Sequence, residues 1–258
     1  HAGLEADLEA AELALDCLQF APVGDCVIDL ADARLLRGVL AGVPLDALAL
    51  QDIVQALSEK DASAVTSLSK GAPGETQQAL GTLLRLYGGD EVLETAARLL
   101  PERPLIRKAL DDLRWLATQL RAAFPDLQIG FDLSEMSGYA YYSGPRFAIY
   151  GAGQSQALAR GGRYDEIGAI FGRNRPAVGF GLDLKSLAEL AGDPKPAKAI
   201  RAPWNTDAAL RAAVRRLRDS GESVVAMPLE DSNESHTVAC DRELVHRAGH
   251  WTVQPLST

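Results

Sequence analysis

At 258 residues, the chain is long enough to bury a substantial hydrophobic core, either in one large domain or in two smaller ones. Hydrophobic residues make up 47% of the sequence and charged residues 24%, which is ordinary for a globular protein. The net charge of -9 argues against non-specific nucleic-acid binding and against docking on anionic lipid, because both depend on basic residues that neutralise phosphates.

The cysteine content and the lengths of the apolar runs predict a cytoplasmic protein. Cys17, Cys26 and Cys240 form no Cys-x-x-Cys pair and leave an odd count, so structural disulfides are not expected. No apolar run approaches the roughly 20 residues that span a bilayer. The first residues, HAGLEADLEAAELAL, lack an initiator methionine and already have helical periodicity. We therefore expect the sequence to begin partway through a fold.

The first half of the chain predicts a strand between two helices, followed by a helical region. Leucine and alanine spacing predicts an amphipathic helix over residues 4–20, and CVIDLAD (26–32) predicts a short apolar strand. ARLLRGVLAG (33–42) predicts a helix that ends at glycine. Residues 44–124 predict four or five helices inserted between strands of a sheet, the last at about residues 105–123. The breaks between these helices contain Gly, Pro or a capping Asp, at Asp61, 71–75, 87–91 and 100–104.

After Pro125 the pattern changes to strands. LQIGFDL (127–133) predicts one strand, and GYAYYSGPRFAIYG (138–151) predicts an antiparallel hairpin that turns at SGPR. QSQALARGG (154–162) predicts a further strand. PAVGFGL (176–182) predicts a buried strand that leads into the helix DLKSLAELAG (183–192), with Asp183 near its N-cap.

The last part of the chain predicts a small α/β extension after the linker DPKPAK (193–198). It contains a helix at about residues 206–219, the strand SVVAM and a closing strand pair that turns at Ala248-Gly249. Strands, a block of helices and then an antiparallel meander predict an α+β fold. A doubly wound sheet is excluded, because the central strands are joined by turns too short for parallel crossovers.

Two further motifs have simple explanations. YGAGQSQ (150–156) contains Gly-x-Gly after a strand, but a dinucleotide-binding loop needs a helix to follow, so we expect a hairpin turn. The acidic residues of the first helix, Asp7, Glu9 and Glu12, predict a solvated face.

The histidines near the end of the chain have spacings that resemble a metal site. His236 and Cys240 are separated by three residues, as are His246 and His250. Zinc needs four converging ligands, whereas side chains on a strand alternate in direction. His246 and His250 flank a tight turn and fit a cross-strand pair. We therefore expect no metal.

The strongest candidate site combines an aromatic segment, YAYYSG, with a glycine-rich segment, RGGRYD. On a strand, Tyr139 and Tyr141 would share one face, and Tyr142 would lie on the other. The glycine pair would let a ligand or another part of the backbone approach closely. The pattern fits a pocket for a small zwitterion with a flat ring, and equally an aromatic-lined core with a glycine bulge. The candidate binding residues are Tyr142, Gly161, Gly162, Arg163 and Tyr164.

GYAYYSG, ARGGRYD and RPAVGFGLDLKSL resemble the histidine-specific signatures and the third motif of histidyl-tRNA synthetases. The sequence is more similar still to a paralogous family, the regulatory subunits of ATP phosphoribosyltransferase, in GLEADLEAAEL and CDRELVHRAGHWTVQP. The resemblance covers nearly the whole chain and implies a class II aminoacyl-tRNA synthetase-like antiparallel sheet with flanking helices. The implied regions are a partial core (1–43), a helical insertion (44–124), the rest of the core with the third motif (125–192), and a linker with a small C-terminal α/β subdomain (193–258).

Departures from the synthetase pattern imply that catalysis is absent. The resemblance places an arginine that helps activate the histidine carboxylate at Ser137, an acidic residue at Ala140, and a Glu-Arg pair at Lys185 and Ser186. Adenylate formation depends on fixed cations, and each lost donor costs on the order of 2–4 kcal/mol. A lysine lacks the bidentate fork of arginine. We therefore expect no catalytic residues.

The resemblance implies a non-catalytic regulatory subunit in the first step of histidine biosynthesis. Its partner would be a short-form catalytic ATP phosphoribosyltransferase, and it would form a homodimer within a hetero-oligomer and help transmit feedback inhibition by histidine. Tyr142 and Tyr164 match positions that face the amino acid, and Gly161 and Gly162 match glycines that line its pocket. About sixty residues follow the linker, too few for an anticodon-binding domain, so no tRNA binding and no cofactor are expected. The alternatives are a divergent enzyme that forms an aminoacyl-adenylate and an unrelated α+β binding module.

Overall fold

The computed structural model describes residues 2–170, 172–173, 175–192, 198–227 and 239–256. The chain divides into two compact units, His1–Gly192 and Asp193–Thr258. The predicted linker at 193–198 lies outside the described residues except for Lys198. In the described ranges, no helix is both long and apolar enough to cross a membrane.

The first unit begins with a helix, a strand and a second helix, which confirms the prediction for this segment. α1 spans Glu5–Leu18, β1 spans Val27–Asp32 and α2 spans Ala33–Leu40. β1 passes directly into α2, because the carboxylate of Asp32 accepts a hydrogen bond from the amide of Arg34 at 2.8 Å. This bond satisfies one of the amides that the first turn of a helix leaves unpaired.

The helical insertion contains five helices, within the predicted range. The carboxylates of Asp46 and Asp61 cap two of them, at 2.8 and 2.9 Å from backbone amides. Leu80 and Leu113 of the insertion belong to the same hydrophobic core as Phe131 of the sheet, so the insertion packs as part of the first unit. The helices are α3 (Ala47–Ser58), α4 (Ala62–Leu68), α5 (Gly74–Leu83), α6 (Glu91–Leu99) and α7 (Pro104–Ala123).

A six-stranded sheet organises the first unit. Its strand order is β2-β3-β1-β4-β5-β6. β1 and β3 run parallel, and every other neighbouring pair of this sheet is antiparallel. The short helix α8 (Ile167–Ile170) precedes β6, and α9 (Leu184–Ala191) follows it. The remaining strands are β2 (Tyr87–Gly88), β3 (Gln128–Asp132), β4 (Pro145–Tyr150), β5 (Ala159–Arg163) and β6 (Val178–Leu182).

Alternate residues along the strands divide this sheet into two faces. The packed face carries Phe147, Gly161 and Phe180, which are register neighbours, and its hydrophobic residues lie in one core with those of α1 and α7. The opposite face, which we call the ligand face, is exposed at Arg160 and Gly181. One row of register neighbours across the ligand face consists of Asp29, Ala148, Arg160 and Gly181.

The predicted hairpin at SGPR is wrong. Residues 138–142 form a turn instead of a strand, and β4 begins only at Pro145. In this turn, the amides of Tyr141 and Tyr142 donate to the carbonyl of Gly138 at 2.8 and 3.0 Å, and Gly138 has a φ of 71°. The aromatic residues have high strand propensity, but amides that are satisfied locally need no partner strand.

The hairpin lies instead between β4 and β5, across residues 151–158, which confirms the turn predicted from YGAGQSQ. Gly153 has a φ of 73°, and the amide of Gln154 donates to the carbonyl of Gly151 at 3.0 Å. The predicted strand at 154–162 begins only at Ala159. Strand β5, and no helix, follows this loop.

Within residues 198–227 and 239–256, the second unit contains a four-stranded sheet in the order β10-β9-β7-β8 and one helix. The helix and three of the strands were predicted, whereas β7 was missed because it follows directly on the proline-rich linker. β7 is parallel to both β8 and β9. The elements are β7 (Ala199–Pro203), α10 (Ala208–Asp219), β8 (Val224–Met227), β9 (Cys240–Arg247) and β10 (His250–Pro255).

The two described histidines of this unit, His246 and His250, belong to no cluster of potential metal ligands. His236 lies outside the described residues. Among those that are described, no three potential ligands of a metal ion converge. His246 is the register neighbour of Trp251, and their ring centroids are 5.1 Å apart, so the cross-strand pair predicted with His250 is wrong.

Candidate ligand-binding site

The five predicted binding residues divide between the two faces of the six-stranded sheet. Tyr142, Gly162 and Tyr164 lie on the ligand face, whereas Gly161 and Arg163 lie on the packed face. The division follows from strand geometry, because successive residues of β5 point to opposite sides of the sheet. Three of the five residues therefore lie on one face of the sheet, and two contact the core.

Three tyrosines form an aromatic wall on the ligand face. The ring centroids of Tyr141 and Tyr164 are 4.8 Å apart, and Tyr142 meets Tyr141 edge-on at 5.3 Å. The guanidinium of Arg146 lies 5.3 Å from the centroid of the Tyr142 ring. Tyr164 extends over Gly179, where an added Cβ would lie 2.7 Å from the tyrosine hydroxyl oxygen. The prediction that Tyr141 and Tyr142 point to opposite faces is wrong, because they lie in a turn.

Arg163 connects the packed face to α1 through a buried ion pair. Its guanidinium pairs with Asp7, and it also donates to Asp165 at 3.2 Å and to the carbonyl of Gly3 at 2.9 Å. Burial acts to lower the pKa of Arg163, but hydrogen bonds and charges from the two carboxylates outweigh it and raise that pKa. Asp7 is buried, so the prediction that it belongs to a solvated acidic face is wrong, although Glu9 is exposed.

Short hydrogen-bonded links join the aromatic turn to the end of β5. The amide of Ser143 donates to the carbonyl of Arg163 at 2.7 Å, and the hydroxyl of Ser143 accepts from the amide of Asp165 at 2.9 Å. The carboxylate of Asp165 also accepts from the amide of Ala177 at 2.8 Å. Ser143 follows Tyr142 and Asp165 follows Tyr164, so these links fix the two tyrosines relative to each other.

Both glycines of RGGRYD are required by contacts inside the protein. An added Cβ at Gly161 would lie 2.5 Å from the Phe147 ring and 2.7 Å from the carbonyl oxygen of Gly179. At Gly162 it would lie 2.6 Å from the carbonyl oxygen of Pro145. The close approach predicted from this glycine pair is therefore made at both positions by the neighbouring strands.

The floor of the ligand face contains charged residues that were not among the predicted binding residues. Arg160, the first residue of RGGRYD, is exposed, and its neighbours in the row are Ala148, which is buried, and Gly181, which is exposed. An added Cβ at Gly181 would meet no atom within 4 Å. Asp29 lies two strands away in the same row. A sequence signal for Asp29 does exist, because it is an acid within the apolar strand VIDLAD.

Acidic residues surround the β1 end of this row. Burial raises the pKa of Asp29, and the charges of Asp132 and Glu135 raise it further, while Lys60 opposes them. Lys60 pairs with Asp132 at 2.8 Å, and Arg146 pairs with Glu135 at 3.0 Å. Asp29 forms no ion pair with a cation of the described ranges, and its carboxylate lies over its register neighbour Gly130 on β3.

The two positions at which the family resemblance implies arginines hold serines that bond to protein groups. The carbonyl of Ser137 accepts from Arg146 at 2.5 Å, and its amide donates to Glu135 at 2.7 Å. The hydroxyl of Ser186 donates to Asp183, the N-cap of α9, at 2.7 Å. This hydrogen bond is the main cause of the lowered pKa of Asp183. Neither serine supplies a positive charge for adenylate formation.

Two family models match the chain. The one described as "Histidyl-tRNA synthetase" matches residues 1–187, which include all six strands of the first sheet. The one described as "ATP phosphoribosyltransferase subunit HisZ C-terminal domain" matches residues 197–254, within the second unit. Together they account for both units, and the first covers more than half of the chain.

Individual proteins agree with the family models. An ATP phosphoribosyltransferase regulatory subunit from Albidiferax ferrireducens is 49% identical over 253 residues, which cover 98% of this chain and 65% of that protein. The chain therefore spans less than two thirds of the length of that relative.

Solved structures share the fold. An ATP phosphoribosyltransferase regulatory subunit/histidyl-tRNA synthetase from Bacillus halodurans has a TM-score of 0.73 and 24% identity, covering 91% of this chain and 62% of that chain. An ATP phosphoribosyl transferase (HisG:HisZ) complex from Thermotoga maritima has a TM-score of 0.54 and 17% identity, covering 70% and 61%. These likenesses confirm the predicted class II synthetase-like α+β fold. The chain belongs to the histidyl-tRNA synthetase-like family that includes the regulatory subunits of ATP phosphoribosyltransferase.

Proposed function

We propose that this chain is part of a non-catalytic regulatory subunit of ATP phosphoribosyltransferase, required for the first step of histidine biosynthesis. The observation that carries the proposal is the 49% identity, along 98% of the chain, to a protein of that name. The uncharged residues Ser137 and Ser186 support it, because adenylate chemistry needs fixed cations at the phosphates. The acidic composition also supports it, since tRNA binding needs basic surface.

The partner that we propose is a short-form catalytic ATP phosphoribosyltransferase subunit in the cytoplasm. The Thermotoga maritima structure is a complex of two named components, HisG and HisZ, and a chain of that structure shares the fold of this one. We further propose that the protein forms a homodimer within the larger assembly. Size measurement of the full-length protein, alone and with the catalytic subunit, tests both statements.

Histidine is the effector that we propose for the ligand face. The aromatic wall offers ring contacts to an imidazole, and Tyr142, Gly162 and Tyr164 lie on the same face of the sheet. Transmission to the catalytic subunit then amounts to a coupling free energy between two sites, typically about 1–3 kcal/mol. Gly161 and Arg163 would hold β5 in place from the packed face, through close packing on Phe147 and the ion pair with Asp7.

Two assays of the full-length protein test the regulatory role. In the first, ATP–pyrophosphate exchange is measured with histidine, with a histidyl-tRNA synthetase as the positive control. In the second, the protein is added to the short-form catalytic subunit and phosphoribosyl transfer is measured. We expect no exchange in the first assay and a strong dependence of activity on the added protein in the second. Robust exchange would instead favour an enzyme that forms an aminoacyl-adenylate.

Feedback through the aromatic wall has its own test. We expect Tyr164→Ala to raise the histidine concentration that half-inhibits the complex by about twofold to tenfold, because an aromatic contact contributes about 0.5–1.5 kcal/mol. The matched control is Tyr87→Ala, at an exposed tyrosine on the edge strand β2. Equal shifts in the two variants would count against a ring-binding role for the wall.

A further inference from the structure

A groove in the second unit runs along α10 beside β8, the last strand of the described four-stranded sheet. Its volume is about 580 Å³, within the range of pockets that bind small molecules. Val224 and Ala226 lie on the same face of β8. Val224 is buried in one cluster with Leu210 of α10, whereas Ala226 is exposed. The helix therefore leaves one end of this strand uncovered, and the groove opens there.

Arginines line the groove at helical spacing. Arg211, Arg215 and Arg218 are four and three residues apart, which places them on one face of α10. Arg218 donates to the carbonyl of Val224 at 2.9 Å. Arg211 and Arg215 are exposed, and neither forms an ion pair with a residue that the structure describes. Two guanidinium groups, one helical turn apart, are therefore available to an anionic ligand.

The groove has a local excess of positive charge on an acidic chain. Residues 193–258 contain nine basic and nine acidic residues, so the net charge of -9 belongs entirely to residues 1–192. Four of the nine basic residues lie on α10, where Asp219 is the one acid. Asp219 also lines the groove but forms no ion pair within the described ranges. Asp207, which precedes the helix, is already bonded to the amide of Leu210 and to the indole of Trp251.

An exposed aromatic ring lies at the end of the groove where α10 begins. Trp204 follows β7 directly and is 58% exposed, although tryptophan is usually largely buried. The side-chain oxygen of Asn205 accepts from the amide of Asp207 at 2.8 Å, which leaves the NH₂ group of Asn205 as a donor toward the groove. Asp219 lies at the opposite end of the helix, so the ring and the acid are well separated.

We propose that this groove binds a nucleotide, with the base stacked on Trp204 and the phosphates held by Arg211 and Arg215. An indole is a flat surface on which any base can stack, and a guanidinium binds phosphate oxygens through two parallel hydrogen bonds. Inorganic phosphate would make no use of the indole, whereas one ring beside two cations matches a base with a short phosphate chain. All of these residues belong to the second unit, so the inference does not rest on histidine binding at the ligand face.

The test is calorimetric titration of the full-length protein, without the catalytic subunit, with ADP and with pyrophosphate. Pyrophosphate keeps the two phosphates of ADP but lacks the base. The variants are Arg215→Gln and Trp204→Ala. The matched control is Arg216→Gln, which removes the same charge from the next residue of α10, an exposed arginine that does not line the groove. Circular dichroism and thermal melting establish that each variant is folded.

The two groove variants should differ in which ligand they affect. We expect Arg215→Gln to weaken the binding of ADP and of pyrophosphate about tenfold each, at the lower end for hydrogen bonds to charged groups because the groove is open to solvent. Trp204→Ala should weaken ADP binding about fivefold or more, the usual effect of losing a stacked base, and should leave pyrophosphate binding unchanged. Arg216→Gln should change neither.

Several results would overturn the inference. Wild-type protein that binds no ADP at millimolar concentration would refute it directly. Equal losses in Arg215→Gln and Arg216→Gln would mean that ADP responds to the charge of the helix and not to the groove. ADP binding that survives unchanged in both groove variants would place the nucleotide elsewhere on the protein. Equal losses of ADP and pyrophosphate binding in a folded Trp204→Ala variant would refute the stacked base.

Discussion

The two faces of the six-stranded sheet use neighbouring residues of β5 for different purposes. On the packed face, Gly161 lies against Phe147, and Arg163 forms an ion pair with a buried aspartate of α1. On the ligand face, Arg160 is exposed beside Gly181. Every charge of β5 on the packed face is thus paired within the protein, whereas its charge on the ligand face has no carboxylate partner among the described residues.

This difference shows how one short motif can serve both the fold and a ligand. A strand sends successive side chains to opposite faces, so a contiguous sequence signature contributes to two environments. A buried charge needs a partner within the protein, whereas an exposed charge can pair with a ligand. Substitutions on the packed face should therefore affect stability, and those on the ligand face should affect affinity.

The largest expected effect comes from Arg163→Met on the packed face. It leaves the carboxylate of Asp7 buried without its partner, which costs about 3–5 kcal/mol of unfolding free energy. Urea denaturation followed by circular dichroism measures the loss. The matched control is Arg160→Met on the ligand face, for which we expect a change within about 0.5 kcal/mol. Comparable losses in the two variants would mean that the faces do not differ as described.

A second, smaller contrast uses two glycines on neighbouring strands. Gly161→Ala places a methyl group 2.5 Å from the Phe147 ring, and such overpacking costs about 1–3 kcal/mol of unfolding free energy. Gly181→Ala meets no atom within 4 Å, so its effect on stability should be within about 0.5 kcal/mol. We expect Gly181→Ala to weaken histidine binding instead, because its methyl group enters the space beside Arg160. Calorimetry and denaturation on both variants separate the two effects.

Local patterns in the sequence predicted much of the fold. The cap at Asp61 and the glycine and proline breaks placed the helices of the insertion, because helix ends depend on residues within a few positions of each other. The alternation in β3 and β6 placed those strands. The motif resemblance predicted the family and the class II sheet, including three residues of the ligand face.

The tertiary structure decided which residues meet. YAYYSG has the composition of a strand but forms a turn, because its amides bond to Gly138 and no neighbouring strand competes for them. Asp7 is distant in sequence from Arg163, so nothing local distinguishes it from a solvated acid.

The row from Asp29 to Gly181 exists only because β1, β4, β5 and β6 lie side by side in one register. Hydrophobic periodicity and helix capping involve residues only a few positions apart, so both can be recognised in the sequence. Charge pairing and the shape of a cleft depend on contacts between distant segments, and these are set only when the sheet assembles.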